Sequence, residues 1–162
     1  MHPTKVLFVC LGNICRSPAA EGIMKTIVAR ERLEDLIFCD SAGTSAYHEG
    51  DLPDARMRAH AKERGYDLTS RSRPFLAPDD FFRFNYILTM DESNFRNVSR
   101  LDKNGEFAAK ILPIVKFCTL HAVAAVPDPY YEGDEGFRLV LDILEDACAN
   151  FLEHLRREMG PK

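Results

Sequence analysis

Polar and apolar positions along this chain follow two recurring patterns, short apolar runs and longer segments with helical spacing. Apolar runs at residues 5–9, 36–42, 86–90 and 109–114 are too short for helices and predict four strands. The segments between them repeat apolar residues at intervals of three and four, which is typical of helices that pack on a core. Strands that alternate with helices predict an α/β fold in three layers, a four-stranded parallel twisted sheet with helices on both faces.

Residues with known preferences for helix ends support this division. Pro18 suits the first position of a helix, where its missing N–H has no partner to lose. Asp54 and Asp91 are the expected N-caps of two further helices. The clearest helix has an apolar face over residues 137–155, and Asp134 is its expected N-cap.

Composition limits what this fold could bind. The 162 residues, 46% of them hydrophobic, can fill one core, and no linker or repeat divides them, so we expect a single domain over residues 1–162. A formal net charge of -4 gives no overall attraction to nucleic acid or to an anionic membrane. No stretch has the length of a membrane span, and residues 1–5 lack the pattern of a signal peptide. Nothing marks a large apolar surface patch, so a monomer is expected.

The cysteines and histidines indicate a reduced protein without a metal. The five cysteines are odd in number and lie mostly in apolar runs, which is typical of free thiols and of a cytoplasmic location. Cys39, Cys118 and Cys148 are expected to belong to the core. The five histidines have no paired ligand spacing, so neither a metal site nor another cofactor is predicted.

The candidate chemistry follows the first predicted strand, in the segment Cys10-Leu11-Gly12-Asn13-Ile14-Cys15-Arg16-Ser17-Pro18. A loop between a buried strand and a helix N-terminus presents N–H groups and a positive dipole end, which suits a phosphate dianion. A cysteine placed first in this loop is favoured as a thiolate, the form that attacks phosphorus, and Arg16 can bind two phosphate oxygens. Gly12 and Asn13 tolerate the left-handed conformation that a tight anion nest requires. Cys10 could also be a small buried hydrophobe, but its neighbours favour an enzyme that acts on phosphate esters.

A phosphate-ester hydrolase needs an acid for the leaving oxygen, and the cysteine segment contains none. Asp128 is the candidate, because prolines at positions 127 and 129 restrict it to an extended conformation on a stiff loop. Asp-Pro pairs are also common turn starters, so spacing alone does not decide between a catalytic aspartate and an ordinary turn. Tyrosines nearby, at positions 130 and 131, and Tyr47 are suited to flank a planar phenyl ring.

Four segments, at residues 10–18, 40–42, 90–94 and 128–131, resemble the low-molecular-weight protein tyrosine phosphatases over nearly the whole chain. The resemblance implies that the chain hydrolyses phosphotyrosine monoesters through a phosphocysteine intermediate, without a metal. The expected partner is therefore a phosphotyrosine-containing protein, for which a tyrosine kinase is one candidate. The physiological substrate itself is left open.

The resemblance also implies residue roles, with Cys10 as nucleophile, Arg16 as the side chain that stabilises the transition state, and Asp128 as general acid and then general base. The residues expected to bind the phosphate are Leu11, Gly12, Asn13, Ile14, Cys15, Arg16 and Ser17. The residues expected to hold this loop by hydrogen bonds are Asn13, Ser17 and Ser41. The residues expected to line the substrate crevice are Ile14, Tyr47 and Tyr130. Cys15 is expected either to form a protective disulfide with oxidised Cys10 or simply to fill space.

This chain departs in one region from the pattern of the family it resembles. Family members often carry a histidine near the positions of Thr69 and Ser70, where it supports the loop, whereas this chain has Ser70-Arg71-Ser72-Arg73. The loop is therefore expected to be braced differently. Relatives that act on phosphoarginine resemble CTGNTCRSP, with threonine at the position of Ile14, so isoleucine favours phosphotyrosine.

Three other functions stay open at this point. An arsenate reductase could use the same scaffold, but it needs closely spaced downstream cysteines, and those of this chain are dispersed. A phosphate-carrying domain of a sugar-transport system would also have a cysteine loop, but it has no need of Asp128. A phosphopeptide-binding module without activity would keep Arg16 and dispense with Cys10.

Overall fold

The computed structural model describes residues 2–160. Its strands are β1 (Thr4–Cys10), β2 (Ile37–Gly43), β3 (Tyr86–Thr89) and β4 (Ile111–Pro113). They form one sheet in the order β2-β1-β3-β4, and every neighbouring pair is parallel. The predicted four-stranded parallel sheet is confirmed.

Helices cover both faces of this sheet, as predicted. They are α1 (Arg16–Arg30), α2 (Ala55–Glu63), α3 (Asp79–Arg83), α4 (Glu92–Leu101) and α5 (Asp134–Met159). Side chains of α1, α2 and α5 pack in one apolar cluster, and side chains of α3 and α4 pack in a second cluster on the opposite face. The three layers follow from this arrangement.

The central strand β1 is buried on both faces. Val6 and Phe8 belong to the cluster with α1 and α5, whereas Leu7 and Val9 belong to the cluster with α3 and α4. A strand that contacts apolar side chains on both sides needs a continuous apolar run, which explains why β1 shows no alternation. Cys10 ends this strand at the carboxyl edge of the sheet and begins what we call the cysteine loop (residues 10–17).

Two of the predicted helix caps are confirmed. The Asp54 carboxylate accepts hydrogen bonds from the N–H groups of Arg56 and Met57 at the start of α2. Asp91 forms a capping box with Asn94 at the start of α4. Both caps are local contacts between residues that lie two or three positions apart.

Three details of the predicted elements are wrong. Gly133, not Asp134, is the N-cap of α5, and the Asp134 carboxylate contacts Nε2 of His60 on α2 instead. Pro18 occupies the third position of α1, because the helix begins at Arg16, but it still lies in the first turn, where no N–H partner is lost. The fourth strand is shorter than predicted, because short 3-10 helices flank it on both sides.

Candidate active site

The cysteine loop wraps around the sulfur atom of Cys10. The backbone N–H of Asn13 donates to Sγ at 3.3 Å, and the hydroxyl of Ser17 lies 3.0 Å from the same atom. Asn13 has the left-handed conformation expected of it, with φ +56°. Gly12 does not, and the expectation that it would is wrong. A Cβ atom at Gly12 would lie 3.1 Å from Cδ2 of His48, so a larger residue there would require the His48 side chain to shift.

Asn13 is the centre of a buried hydrogen-bond network beneath the loop. Its Nδ2 donates to Oγ of Ser17 at 2.8 Å and to Oγ of Ser41 at 2.9 Å, so the structure brings the three predicted supporting residues together. The Ser41 hydroxyl in turn donates to Oε1 of Glu21 at 2.6 Å. Glu21 is only 3% exposed, and its other oxygen accepts a hydrogen bond from Lys25. Nothing in the sequence indicated that Glu21 belongs to this network.

A second set of contacts supports the cysteine loop from outside. We call residues 72–75 the strap, because they run alongside the end of β2 and touch the cysteine loop from outside. The Ser72 hydroxyl donates to the carbonyl oxygen of Gly12, and the Arg73 N–H donates to Oδ1 of Asn13, both at 3.0 Å. The Arg73 guanidinium binds the carboxylates of Asp40 and Asp80, which fixes the strap in place.

Arg16 is held in position by groups outside the cysteine loop. Its side chain is 4% exposed, and Nη1 donates to Oδ2 of Asp91 at 2.7 Å and to the carbonyl oxygen of Val126 at 3.0 Å. Nη2 lies 3.9 Å from Oδ2 of Asp128. Asp91, which the sequence identified only as a helix cap, therefore also orients the guanidinium.

The predicted acid reaches the same site on what we call the aspartate loop (residues 127–133). The Asp128 side chain is 48% exposed, and its Oδ1 accepts a hydrogen bond from the N–H of Tyr130 at 3.0 Å. Asp128 and Cys10 both line one cavity of about 520 Å³. The aspartate loop is thus folded over the cysteine loop, although the two are more than a hundred residues apart in the sequence.

The same cavity contains the predicted crevice residues. Its lining includes Ile14, Tyr47 and Tyr130, together with His48 and Tyr131, which the sequence analysis had not placed in the crevice. Tyr47 is 87% exposed and Tyr131 is 95% exposed, so both stand at the mouth of the cavity. Aromatic side chains at this position can contact a planar ring that enters from solvent.

Comparison with known proteins now decides the family. A family model described as "Low molecular weight phosphotyrosine protein phosphatase" matches residues 5–160. The chain belongs to this phosphatase family. The family that the sequence motifs predicted is therefore confirmed.

Individual relatives agree with this assignment. A putative low molecular weight protein-tyrosine-phosphatase of Synechocystis is 50% identical over 155 residues, 96% of this chain and 98% of the relative. A crystal structure of a protein tyrosine phosphatase from Entamoeba histolytica is similar with a TM-score of 0.91 and 49% identity, covering 96% of this chain and 99% of that one. A Drosophila structure named as an arginine phosphatase has a TM-score of 0.87 and 33% identity, covering 94% and 98%.

The remaining cysteines of this phosphatase-family chain differ in burial. Burial raises the pKa of Cys15 well above the ordinary range of a thiol, so its sulfur carries a proton at neutral pH. Burial also raises the pKa of Cys39 to about 12. Cys39 and Cys148 lie in the core as predicted, whereas Cys118 is only half-buried and packs against the edge of the core. All five thiols are free.

Neither a metal-binding cluster nor a helix able to cross a membrane occurs within residues 2–160. Across residues 2–160, no group of three or more His, Cys, Asp or Glu side chains is arranged to hold a metal ion. No helix within the same residues combines the length and the apolar character that crossing a membrane requires.

Proposed function

We propose that this chain hydrolyses phosphotyrosine monoesters in proteins, with Cys10 as nucleophile and Asp128 as general acid and base. One observation supports this most strongly, the shared cavity that contains the Cys10 sulfur, the Arg16 guanidinium and the Asp128 carboxylate. A nucleophile, a cation for the transferring phosphoryl group and an acid for the leaving oxygen are the groups that this reaction needs. Membership of the phosphatase family supports the same chemistry.

The proposed reaction has two displacement steps. The Cys10 thiolate attacks phosphorus and forms an S–P bond, while the P–O bond to the leaving phenoxide breaks and Asp128 gives that oxygen its proton. Asp128, now a carboxylate, then takes a proton from water, and the resulting oxygen nucleophile displaces the thiolate and releases inorganic phosphate. The N–H groups of the loop and Arg16 stabilise the charge on the transferring group, so the scheme requires no metal.

The loop residues Leu11, Gly12, Asn13, Ile14, Cys15, Arg16 and Ser17 are the proposed phosphate-binding set. The cavity mouth supports a phosphotyrosine substrate, because Tyr47 and Tyr130 offer aromatic faces to its ring and Ile14 offers an apolar contact. Initial rates on matched peptides with phosphotyrosine, phosphoserine and phosphoarginine test this proposal. We expect phosphotyrosine to be hydrolysed fastest, and a preference for either of the others would contradict the substrate class.

A first experiment separates the phosphatase from the other candidate functions. The chain is incubated with p-nitrophenyl phosphate in the presence of EDTA, and acid-quenched samples are analysed by mass spectrometry. We expect p-nitrophenol release and a phosphate adduct on Cys10, both absent in Cys10→Ser. Binding of p-nitrophenyl phosphate without release of p-nitrophenol would favour a phosphopeptide-binding module. Turnover of arsenate with a thiol reductant, but not of the ester, would favour an arsenate reductase.

The role of Asp128 is tested with aryl phosphates whose leaving groups differ in basicity. Asp128→Ala should lower kcat/KM by about a hundredfold for phenyl phosphate and much less for p-nitrophenyl phosphate, which hardly needs a proton. Equal losses across the series would remove the acid role from Asp128.

We also propose that Cys15 protects the nucleophile by forming a disulfide with oxidised Cys10, since both line the same cavity. After peroxide treatment, dithiothreitol should restore activity to the native chain and much less activity to Cys15→Ser. Equal recovery by the two proteins would leave Cys15 with a packing role only.

We further propose that the chain acts as a monomer in the cytoplasm on a phosphotyrosine-containing protein, with a tyrosine kinase as one candidate. The free thiols favour a reducing compartment. Capture by Cys10→Ser from extracts of the source cells, followed by elution with vanadate, tests the substrate, and sedimentation velocity tests the monomer.

A further inference from the structure

The aspartate loop is exposed, and few contacts attach it to the rest of the molecule. Of residues 127–133, only Pro129 is buried. Within the described residues 2–160, Arg56 is the one side chain outside this loop that hydrogen bonds to it, by donating from Nη2 to the carbonyl oxygen of Tyr130 at 2.9 Å. The backbone of the aspartate loop therefore depends on a residue of α2 far from it in the sequence, while the Asp128 carboxylate also lies 3.9 Å from Nη2 of Arg16.

The Arg56 guanidinium is itself held in one orientation. Asp54 accepts from Nε at 3.3 Å and from Nη2 at 3.0 Å, which fixes the plane of the group. The guanidinium lies 5.3 Å from the ring centre of Tyr130 and 4.8 Å from that of Phe137, distances at which a cation is attracted to an aromatic face. It therefore contacts Tyr130 through both the backbone and the ring.

The other end of this arrangement reaches the cysteine loop. The N–H of Asp54 donates to the carbonyl oxygen of Ile14 at 2.8 Å. At the far end, the N–H of Tyr130 donates to Oδ1 of Asp128. An unbroken series of hydrogen bonds thus runs from the loop that carries the nucleophile, through Asp54, Arg56 and Tyr130, to the carboxyl group of the acid.

We propose that Arg56 is a positioning residue for the acid, because it fixes the Asp128 carboxyl group at one distance from the cysteine loop. The inference rests on the proposed role of Asp128. Proton transfer to the leaving oxygen requires hydrogen-bond contact, and displacement of a catalytic group by about 1 Å can cost a hundredfold in rate. Arg56 lies outside the residues that line the cavity, so it acts through Tyr130 rather than on the substrate.

The test compares Arg56→Ala with a matched control, Arg58→Ala. Arg58 is a second exposed arginine of α2, and its Nε donates to the carbonyl oxygen of Pro53. Within residues 2–160 it makes no hydrogen bond or ion pair with the aspartate loop. We expect Arg56→Ala to lower kcat/KM about tenfold for phenyl phosphate and less than about twofold for p-nitrophenyl phosphate. Arg58→Ala should stay within about twofold of the native chain for both. Circular dichroism melting identifies any variant that has lost its fold.

A double variant separates positioning from general weakening of the structure. If Arg56 acts through the acid, Arg56→Ala should have no further effect on phenyl phosphate in the Asp128→Ala background. A tenfold loss that persists there, or equal losses for both esters, would overturn the proposal. Arg56→Lys should recover little of the kcat/KM for phenyl phosphate that Arg56→Ala loses, because an ammonium group cannot bind Asp54 in two places and also stack on Tyr130. Full recovery by lysine would reduce the role of Arg56 to a simple charge and contradict positioning.

The two proposals can fail separately. If Asp128→Ala itself shows no dependence on the leaving group, the acid assignment fails, and the Arg56 inference fails with it. If Asp128→Ala shows that dependence and Arg56→Ala does not, only the positioning role is overturned.

Discussion

The two loops that meet at the active site are held in opposite ways. The cysteine loop is supported from below by the network of Asn13, Ser41 and Glu21 and from outside by the strap. The aspartate loop is mostly exposed, and one side chain, Arg56, connects its backbone to the rest of the described structure through a hydrogen bond. The loop of the proposed nucleophile is thus supported on several sides. The backbone of the aspartate loop accepts one hydrogen bond from a side chain outside it, and the Asp128 carboxylate lies 3.9 Å from Nη2 of Arg16.

This difference matches what each loop is proposed to do. Donors that stabilise a developing phosphoryl charge work best when they are already in place, because no free energy is then spent on orienting them during the reaction. In the proposed reaction Asp128 protonates a leaving group and afterwards takes a proton from a water molecule. Because the aspartate loop has few attachments, the position of the Asp128 carboxyl group depends on a small number of contacts, among them the one from Arg56. The predictions that follow test whether support and catalysis are linked in this way.

The largest effect is expected from Asn13→Ala. The substitution removes two donated hydrogen bonds and one accepted bond, and it places alanine in a left-handed conformation. We expect the free energy of unfolding to fall by about 3 kcal/mol, from unpaired buried groups and backbone strain. The value of kcat/KM should fall by about a hundredfold as the loop distorts.

Urea unfolding and steady-state kinetics measure both effects of this change. Asn13→Gly is the control, because glycine removes the same hydrogen bonds but adopts the left-handed conformation freely. It should recover about 1 kcal/mol of stability and little of the activity. A nearly native kcat/KM in Asn13→Ala would show that the hydrogen bonds supporting the cysteine loop do not matter for catalysis.

A third loop, at residues 119–121, lies outside the lining of the cavity that contains Cys10 and Asp128, and a buried carboxylate supports it. Asp146 on α5 has a side chain that is 2% exposed, and it accepts hydrogen bonds from the N–H groups of Thr119, Leu120 and His121. Burial alone would raise the pKa of Asp146, but these hydrogen bonds outweigh it and lower the pKa from 3.8 to about 2. The ionised carboxylate therefore stabilises the folded protein.

Asp146→Asn should accordingly change stability and not activity. A lowered pKa in the folded state gives stability that is fully present above the unfolded pKa and is lost as the pH falls through the folded pKa. The loss on substitution should be about 2 kcal/mol at pH 7 and about half of that at pH 3. Urea unfolding at both values measures it. If the loss in free energy of unfolding were the same at pH 3 as at pH 7, packing rather than the charge of Asp146 would explain it. A lower kcat/KM in Asp146→Asn would show that this loop affects catalysis.

A smaller effect is expected from Ser72→Ala, which removes one contact of the strap with the cysteine loop. The carbonyl oxygen of Gly12 loses the Ser72 hydroxyl, while the bond from Arg73 to Asn13 stays. We expect a loss of about 1 kcal/mol in stability and a fall of about threefold in kcat/KM for p-nitrophenyl phosphate. Ser70→Ala is the control, because the Ser70 hydroxyl makes no hydrogen bond within the described residues. Equal behaviour of the two variants would show that the strap supports the loop by its backbone alone.

The smallest effect on stability is expected from Tyr47→Ala at the cavity mouth. Its side chain is 87% exposed, so the free energy of unfolding should change by less than about 0.5 kcal/mol. The KM for a phosphotyrosine peptide should rise by about threefold, since one aromatic contact is lost, while kcat stays the same. Tyr47→Phe should retain the native KM. A lower kcat with unchanged KM would show that Tyr47 affects the chemical step.

Local signals made much of this molecule predictable. The apolar run of β1 and the caps at Asp54 and Asp91 depend on neighbours within a few positions, and the structure confirms them. The cysteine loop was recognisable because its functional residues are consecutive in the sequence. The proposed roles of those residues, and the expectation of one domain over residues 1–162, stay predictions.

The supporting contacts were not predictable from such signals. Ser72 and Arg73 each contact the cysteine loop across 60 positions, and Glu21 reaches Ser41 across 20. A serine or an arginine in a polar segment looks the same whether it faces solvent or another loop. Asp134 failed as a predicted cap for a related reason, because a partner 74 positions away, His60, binds its carboxylate. Only the folded chain reveals which distant polar groups meet.

The place of β1 within the sheet has a practical consequence. It pairs with β2 along its whole length and with β3 over Val6 to Val9. Cys10, which ends β1, pairs with Gly43 of the outer strand β2, so fraying of β2 removes the neighbour of this cysteine. Catalytic competence and the integrity of the entire sheet should therefore disappear together when the protein is denatured. The colour of released p-nitrophenol can then serve as a direct reporter of how many molecules in a sample are folded.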